Sequence, residues 1–137
     1  MITGDAGSTA LTSRDTSARQ VLLVEDDDDS AALFTSHAER LGHLVLRAHS
    51  GEEALELVAG TPVDLIVVDL LLPGIRGWEL VAALRAGEQT AACPIIVSSV
   101  LERQEYPDGV EGNLPKPYTR RQVELLLRRL LPSAGGQ

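Results

Sequence analysis

Two short apolar segments of this sequence each end in carboxylates. Residues Val21–Val24 lead into the acidic stretch Glu25–Asp29, and residues Leu65–Val68 lead into a single carboxylate, Asp69. Apolar runs of this length, bounded by turn residues, are typical of strands buried on both faces of a parallel sheet. Ligands of such sheets bind beyond the carboxyl ends of the strands. The carboxylates therefore lie where a functional site is expected.

Two further segments end in groups that complement these acids. The segment PIIVS ends at Ser98 and is followed by Ser99, and the segment Gly112–Pro115 is followed by Lys116. Lys116 is the one lysine among the 12 basic residues, which suggests a role for a compact point charge rather than a planar arginine fork. If all these segments are parallel strands, their ends place three carboxylates, a hydroxyl and an ammonium group along one edge of a sheet.

This combination predicts phosphoryl transfer to a carboxylate. Glu25, Asp26 and Asp69 would repel one another at close range, and a divalent cation relieves that repulsion. Mg²⁺ prefers oxygen ligands and keeps waters that a phosphate can replace. An exposed carboxylate beside Mg²⁺ can act as a nucleophile toward phosphorus, while Lys116 and a serine hydroxyl bind the phosphoryl oxygens. A nucleotide site is disfavoured, because no glycine-rich phosphate loop follows the first strand and the EDDDD stretch would repel a pyrophosphate.

The pattern along the chain alternates between strand and helix five times. This alternation predicts an α/β fold with a parallel sheet and helices on both faces. We expect Asp28 or Asp29 to cap the first helix. A short helix in 100–108 is only weakly indicated. The predicted strands are 21–24, 44–48, 63–68, 94–98 and 112–115, and the predicted helices are 30–41, 50–60, 77–86 and 120–131.

Composition limits the classes of partner. The chain has 137 residues, 44% of them hydrophobic, which fits one domain with a real core between tails at 1–19 and 133–137. A net charge of -8 argues against direct contact with nucleic acid or an anionic membrane surface. A single cysteine, no apolar run long enough for a membrane helix and no secretory signal favour a cytoplasmic location.

Four motifs in this order, VLLVEDD, DLIVVDLLLPGIRGWEL, PIIVSS and LPKPY, resemble the receiver domain (CheY-like) of bacterial two-component response regulators. The resemblance covers about residues 20–131, and we place the domain at 20–132. It implies a (βα)5, flavodoxin-like fold with a doubly wound five-stranded parallel sheet. It also implies phosphorelay signalling, in which a histidine kinase or a histidine phosphotransfer protein donates a phosphoryl group.

The resemblance also assigns roles to individual residues. It implies a cis bond between Lys116 and Pro117, and it makes Asp27 a weaker metal candidate than its two predecessors. The implied roles are phosphoacceptor for Asp69, Mg²⁺ ligands for Glu25, Asp26, Asp69 and the carbonyl of Leu71, hydroxyl switch for Ser99 and phosphate binding for Lys116.

The sequence departs from the family pattern at several points. The stretch from Ser99 to Lys116 is several residues short, which predicts a short or irregular fourth helix, and Asn113 occupies the position where the family usually carries a switch aromatic. These departures leave open an alternative, a pseudo-receiver that acts as a protein-interaction module without phosphorylation. In either case a downstream protein or a homodimer is the expected target, and we expect no output domain in this chain.

An enzymatic alternative is disfavoured. Phosphatases of the haloacid dehalogenase type carry a second aspartate two residues after the nucleophile, where this chain has Leu71, so we expect no enzyme activity. Leu71 and Leu101 flank the predicted site, and Val100 narrows access to it. Apolar side chains there would hinder a hydrolytic water, which predicts slow loss of the phosphoryl group.

Overall fold

The computed structural model describes residues 19–100 and 109–131. Within them, five parallel strands form one sheet with helices on both faces, as the alternation predicts. The strand order is β2-β1-β3-β4-β5. The elements are β1 (Gln20–Val24), α1 (Asp28–Arg40), β2 (Leu44–Ala48), α2 (Gly51–Gly60), β3 (Leu65–Asp69), α3 (Gly77–Ala86), β4 (Ile95–Ser99), β5 (Gly112–Pro115) and α4 (Arg120–Leu130).

The three central strands carry the apolar segments. Every residue of β3 and β4 is buried, because both faces of the sheet are covered by helices. The parallel register aligns Val24 with Ala48 and with Val68, and Asp69 with Ser98. The carboxyl ends of the central strands therefore meet at one edge.

The helices divide into two layers. α1 and α4 contact each other on one face of the sheet, while α2 and α3 cover the other. Tyr118 joins the first layer to the sheet edge. Its ring meets Phe34 edge-on with a centroid distance of 6.3 Å, and its hydroxyl donates a hydrogen bond of 2.8 Å to the carbonyl of Ser30 in α1.

Several boundaries differ from the sequence-based prediction by one or two residues. α1 begins at Asp28 rather than Ser30, and its N-cap is Asp27, whose side chain accepts a hydrogen bond from the Ser30 amide. The expectation that Asp28 or Asp29 caps this helix is therefore wrong. β3 and β4 begin later than predicted, and each ends one residue farther, because the ladder continues through the pairs Asp69 with Ser98 and Ser99 with Pro115.

Several predictions concern residues outside those that the structure describes. They are nearly all of the tail at 1–19, the tail at 133–137 and the fourth-helix segment beyond Val100. The domain boundaries accordingly stay predictions. None of the helices described has the length and apolar character that a membrane crossing requires.

Candidate functional site

The predicted site residues meet at the carboxyl edge of the sheet. The ammonium of Lys116, one residue after β5, lies 2.8 Å from Oε1 of Glu25 and 3.0 Å from Oδ2 of Asp69. Both carboxylates are nearly inaccessible, with side-chain exposures of 2% and 8%. One cation thus bridges the ends of three different strands, β1, β3 and β5.

Asp69 is held in place by the turn that follows it. Its Oδ1 accepts a hydrogen bond of 2.9 Å from the Leu71 amide, and its Oδ2 accepts the bond from Lys116. Gly77 allows the turn to fold back closely, since a Cβ there would lie 2.5 Å from the Cα of Leu70. The turn therefore returns directly onto the end of β3.

A carboxylate of α2 fixes the far side of the same turn. Glu52 accepts a hydrogen bond of 3.2 Å from the Ile75 amide. The neighbouring Gly51 packs closely against Ile75, because a Cβ there would overlap Cγ2 of Ile75. The loop after Asp69 is thus anchored both to its own strand and to the start of α2.

Burial has a strong effect on the Glu25 carboxyl. Desolvation raises its pKa to about 7, and the nearby Asp69 also raises it, while the bond to Lys116 acts in the opposite direction. For Lys116, burial lowers the pKa, but its bonds to Glu25 and Asp69 outweigh that effect and raise it overall. Lys116 is therefore charged at neutral pH.

The five consecutive acids after β1 do not share one role. Asp27 caps α1, and Asp28 forms an ion pair of 2.9 Å with Arg47. Glu25, Asp26 and Asp69 each offer a carboxylate oxygen, and these three oxygens lie within 4.8 Å of one another. An all-oxygen donor set at this spacing, with exposed Asp26 open to solvent, fits a hard divalent cation such as Mg²⁺.

The two serines at the end of β4 differ in their surroundings. The hydroxyl of Ser98 donates a hydrogen bond of 2.9 Å to the carbonyl of Leu114 in β5. Ser99 is 1% exposed, and its carbonyl accepts a hydrogen bond of 3.1 Å from the Lys116 amide. Ser98 is thus committed to joining two strands, whereas Ser99 is the serine tied to the Lys116 backbone.

The sequence also singled out residues near the ends of β3, β4 and β5. The bond between Lys116 and Pro117 is cis, as the resemblance implies. Leu71 and Val100, which follow β3 and β4, are exposed by 52% and 66%, and Leu101 lies outside the described residues. Asn113 is a half-buried residue of β5.

Sequence reasoning missed two residues that support the cluster. Tyr118 connects the segment after Lys116 to α1 through its hydroxyl. Arg47 donates a hydrogen bond of 3.0 Å from Nε to the carbonyl of Glu25. The one available signal was the presence of an arginine near the end of an otherwise apolar strand, LVLRA, but strand patterns do not reveal which loop such a side chain reaches.

Comparison with known proteins agrees with this geometry. The model of the response regulator receiver domain matches residues 21–128. The transcriptional regulatory protein CpxR of Escherichia coli K12 is 33% identical over 117 residues, which are 82% of this chain and 49% of that protein. The chain thus spans about half the length of this curated relative.

Solved structures give the same result. The chemotaxis response regulator CheY4 of Vibrio cholerae has a TM-score of 0.78 and 27% identity, covering 83% of this chain and 99% of its own. The receiver domain of the sensor histidine kinase PA1611 from Pseudomonas aeruginosa, determined with a magnesium ion in its active-site cleft, has a TM-score of 0.77 and 26% identity, covering 85% and 99%. With a family match over most of its length, this chain belongs to the response regulator receiver domain family.

Proposed function

We propose that this chain is a phosphoacceptor, in which Asp69 takes a phosphoryl group from a phosphohistidine. The observation that carries the proposal is the bridge from Lys116 to Glu25 and Asp69, with Asp26 within reach of both carboxylates. One ammonium against three carboxylates leaves excess negative charge, which suits a divalent cation. The protein is modified once per signal and does not turn over a substrate.

The transfer needs little from the protein besides position and charge. A carboxylate oxygen of Asp69 attacks the phosphorus, the P–N bond to the partner histidine breaks, and its electron pair stays on the imidazole nitrogen. Lys116 then exchanges its contact with the Asp69 carboxylate for one with a phosphoryl oxygen. Ser99, whose carbonyl accepts a hydrogen bond from the Lys116 amide, supplies the hydroxyl for another oxygen.

The metal site uses residues that the sequence already indicated. Glu25, Asp26 and Asp69 would hold Mg²⁺ together with the carbonyl of Leu71. When bound, Mg²⁺ neutralises charge on the phosphoryl oxygens during transfer. The Leu71 amide donates a hydrogen bond to Asp69, so the residue whose carbonyl would complete the set lies directly beside a candidate ligand.

The partners follow from the family and from the charge of the chain. The donor is a histidine kinase or a histidine phosphotransfer protein. The recipient of the signal is a protein target or a second copy, and a net charge of -8 makes direct contact of this domain with nucleic acid unfavourable. A cytoplasmic location accords with these partners.

Intact-mass measurement tests the phosphoacceptor role. We expect incubation with Mg²⁺ and phosphoramidate to add one phosphoryl group to the wild-type chain and none to Asp69→Asn. The matched control is Asp64→Asn, which removes the carboxylate directly before β3, at the opposite end of that strand from Asp69. Absence of an adduct in the wild type would instead favour the phosphorylation-independent interaction module, and steady hydrolysis of phosphate esters would favour an enzyme.

The lifetime of the phosphoryl group is a second test. Leu71 borders Asp69 with an apolar side chain, which offers no hydrogen bond to orient an attacking water. We expect slow loss of the label, with faster loss in Leu71→Asn, measured by intact mass after removal of the donor. A half-life of seconds for the wild type would contradict this expectation.

A further inference from the structure

Arg47 holds both ends of the turn that carries Asp26. Its Nε donates a hydrogen bond of 3.0 Å to the carbonyl of Glu25, and its Nη1 lies 2.9 Å from Oδ1 of Asp28. We propose that Arg47 is a positioning residue for the metal site, because it fixes the path of the chain from β1 into α1 and thereby the location of the Asp26 carboxylate. This inference rests on the proposed function.

The first contact acts through the peptide plane. The carbonyl of Glu25 and the amide of Asp26 belong to one planar group, so fixing the carbonyl fixes the direction in which Asp26 leaves the strand. The amide of Glu25 is also held, through a hydrogen bond of 3.0 Å to the carbonyl of Ala48. The end of β2 thus holds the backbone of Glu25 on both sides.

The second contact closes the turn. Asp28 is the first residue of α1 and its side chain is 87% exposed, so the ion pair with Arg47 contributes little to stability on its own. Its importance lies in geometry. A planar guanidinium sets the angle between its two acceptors, which a flexible lysine ammonium cannot do.

The remaining nitrogen of Arg47 indicates that stability alone does not explain this arrangement. Nη2 is buried and forms no hydrogen bond with any residue the structure describes. A buried donor without a partner costs free energy, and such groups in folded proteins call for a functional explanation. The need for one guanidinium to hold the Glu25 carbonyl and the Asp28 carboxylate in fixed positions provides that explanation.

The direction of the change in Mg²⁺ affinity distinguishes a positioning role from a simple effect of charge. A cation near a metal site repels the metal, so loss of the Arg47 charge alone would strengthen Mg²⁺ binding. A positioning role predicts the opposite, because loss of the two contacts frees Asp26 to move. Arg47→Lys keeps the charge but loses the fork, and Arg47→Gln loses both.

Isothermal titration of the unphosphorylated full chain with Mg²⁺ measures this effect directly. We expect Arg47→Gln to weaken binding about 10-fold, as the loss of residues that orient metal ligands generally does. Arg47→Lys should also weaken it. Arg40→Gln, which removes an arginine exposed on α1, should leave affinity unchanged. Urea unfolding in chelator identifies any variant that fails to fold.

A second pair of variants changes only exposed side chains, so neither variant should unfold the protein. Asp28→Asn and Asp29→Asn remove the same charge from neighbouring exposed positions in the first turn of α1, but only Asp28 pairs with Arg47 among the described residues. We expect Asp28→Asn to weaken Mg²⁺ binding more than Asp29→Asn. The half-saturating Mg²⁺ concentration for phosphorylation should rise in the same order, with an unchanged rate at saturation.

The outcomes separate the inference from the function on which it rests. Equal effects of Asp28→Asn and Asp29→Asn, together with unchanged or tighter binding in the Arg47 variants, would overturn the positioning role while wild-type binding and phosphorylation stand. Failure of the wild type to bind Mg²⁺ at millimolar concentration would overturn the metal site, and the positioning role with it.

Discussion

Two cationic side chains organise opposite edges of the same sheet. Arg85, in the last turn of α3, lies where β4 and β5 begin, and Lys116 lies where the strands end. Arg85 donates five hydrogen bonds, to the carbonyls of Ala91, Cys93 and Gly109 and to Glu111. Lys116 instead bridges two buried carboxylates, beside a third that has no ion pair with a described residue.

The difference between these clusters separates structure from function. Every N–H of the Arg85 guanidinium has an acceptor, and Glu111 also accepts a hydrogen bond of 2.6 Å from the Ile95 amide. A fully satisfied network of this kind rigidifies the fold. At the Lys116 edge, three carboxylates share one cation, which leaves charge that a ligand can neutralise. Both clusters should therefore contribute to stability, but only the second should respond to metal and phosphate.

Removal of Lys116 gives the largest expected effect. In chelator at pH 8, Lys116→Met leaves Glu25 and Asp69 buried without a counterion, and we expect the free energy of unfolding to fall by about 4 kcal/mol. Addition of Mg²⁺ should restore part of the loss, because the metal binds only the folded state. Urea unfolding measures both quantities, with Lys116→Arg as the charge-preserving control. A loss that Mg²⁺ leaves unchanged would contradict the account.

Removal of Arg85 should affect stability alone. Arg85→Met removes five hydrogen bonds, to three carbonyls and to Glu111, and we expect a loss of about 3 kcal/mol in urea unfolding. Arg40→Met, at the corresponding last-turn position of α1, is the control and should change stability little. Mg²⁺ affinity of the folded Arg85→Met protein should equal that of the wild type. A clear change in that affinity would erase the distinction between the two edges.

Glu25 makes the Lys116 edge sensitive to pH. Its pKa of about 7 in the folded protein lies above the ordinary 4.5, because burial favours the protonated form. The folded state then binds the proton more tightly, so this contribution is complete below pH 4.5 and is lost as pH rises through 7. In chelator we expect stability to fall by on the order of 2 kcal/mol across this window.

The matched variant for this pH dependence is Glu25→Gln, which cannot titrate. Its free energy of unfolding should vary less between pH 4.5 and 7 than that of the wild type. An equal slope in the two proteins would assign the pH dependence to other groups.

The sequence predicted the sheet and the convergence of the candidate site residues because both depend on local signals. Apolar runs identify the buried strands, and the parallel arrangement brings their carboxyl ends together. Glu25, Asp69 and Lys116 therefore converge although more than 40 residues separate them along the chain. The helix and strand positions 77–86, 44–48 and 112–115 agree with the structure residue for residue.

The supporting contacts could not be predicted in the same way. The cap of α1 depends on which of several consecutive aspartates adopts an extended backbone, and a run of like residues gives no signal for that choice. Arg47 and Arg85 reach backbone carbonyls of distant loops, and any residue provides such an acceptor. Residue types therefore identify the strand ends, whereas the geometry of the loops determines which backbone carbonyls Arg47 and Arg85 bind.

The most direct test of the central claim locates the phosphoryl group. After labelling with phosphoramidate and Mg²⁺, borohydride reduces an aspartyl phosphate to homoserine, and tandem mass spectrometry of the peptides identifies its position. We expect homoserine at position 69, with none when Mg²⁺ is replaced by chelator. Label at another carboxylate, or equal label at 69 without Mg²⁺, would contradict a metal-dependent phosphoacceptor at the end of β3.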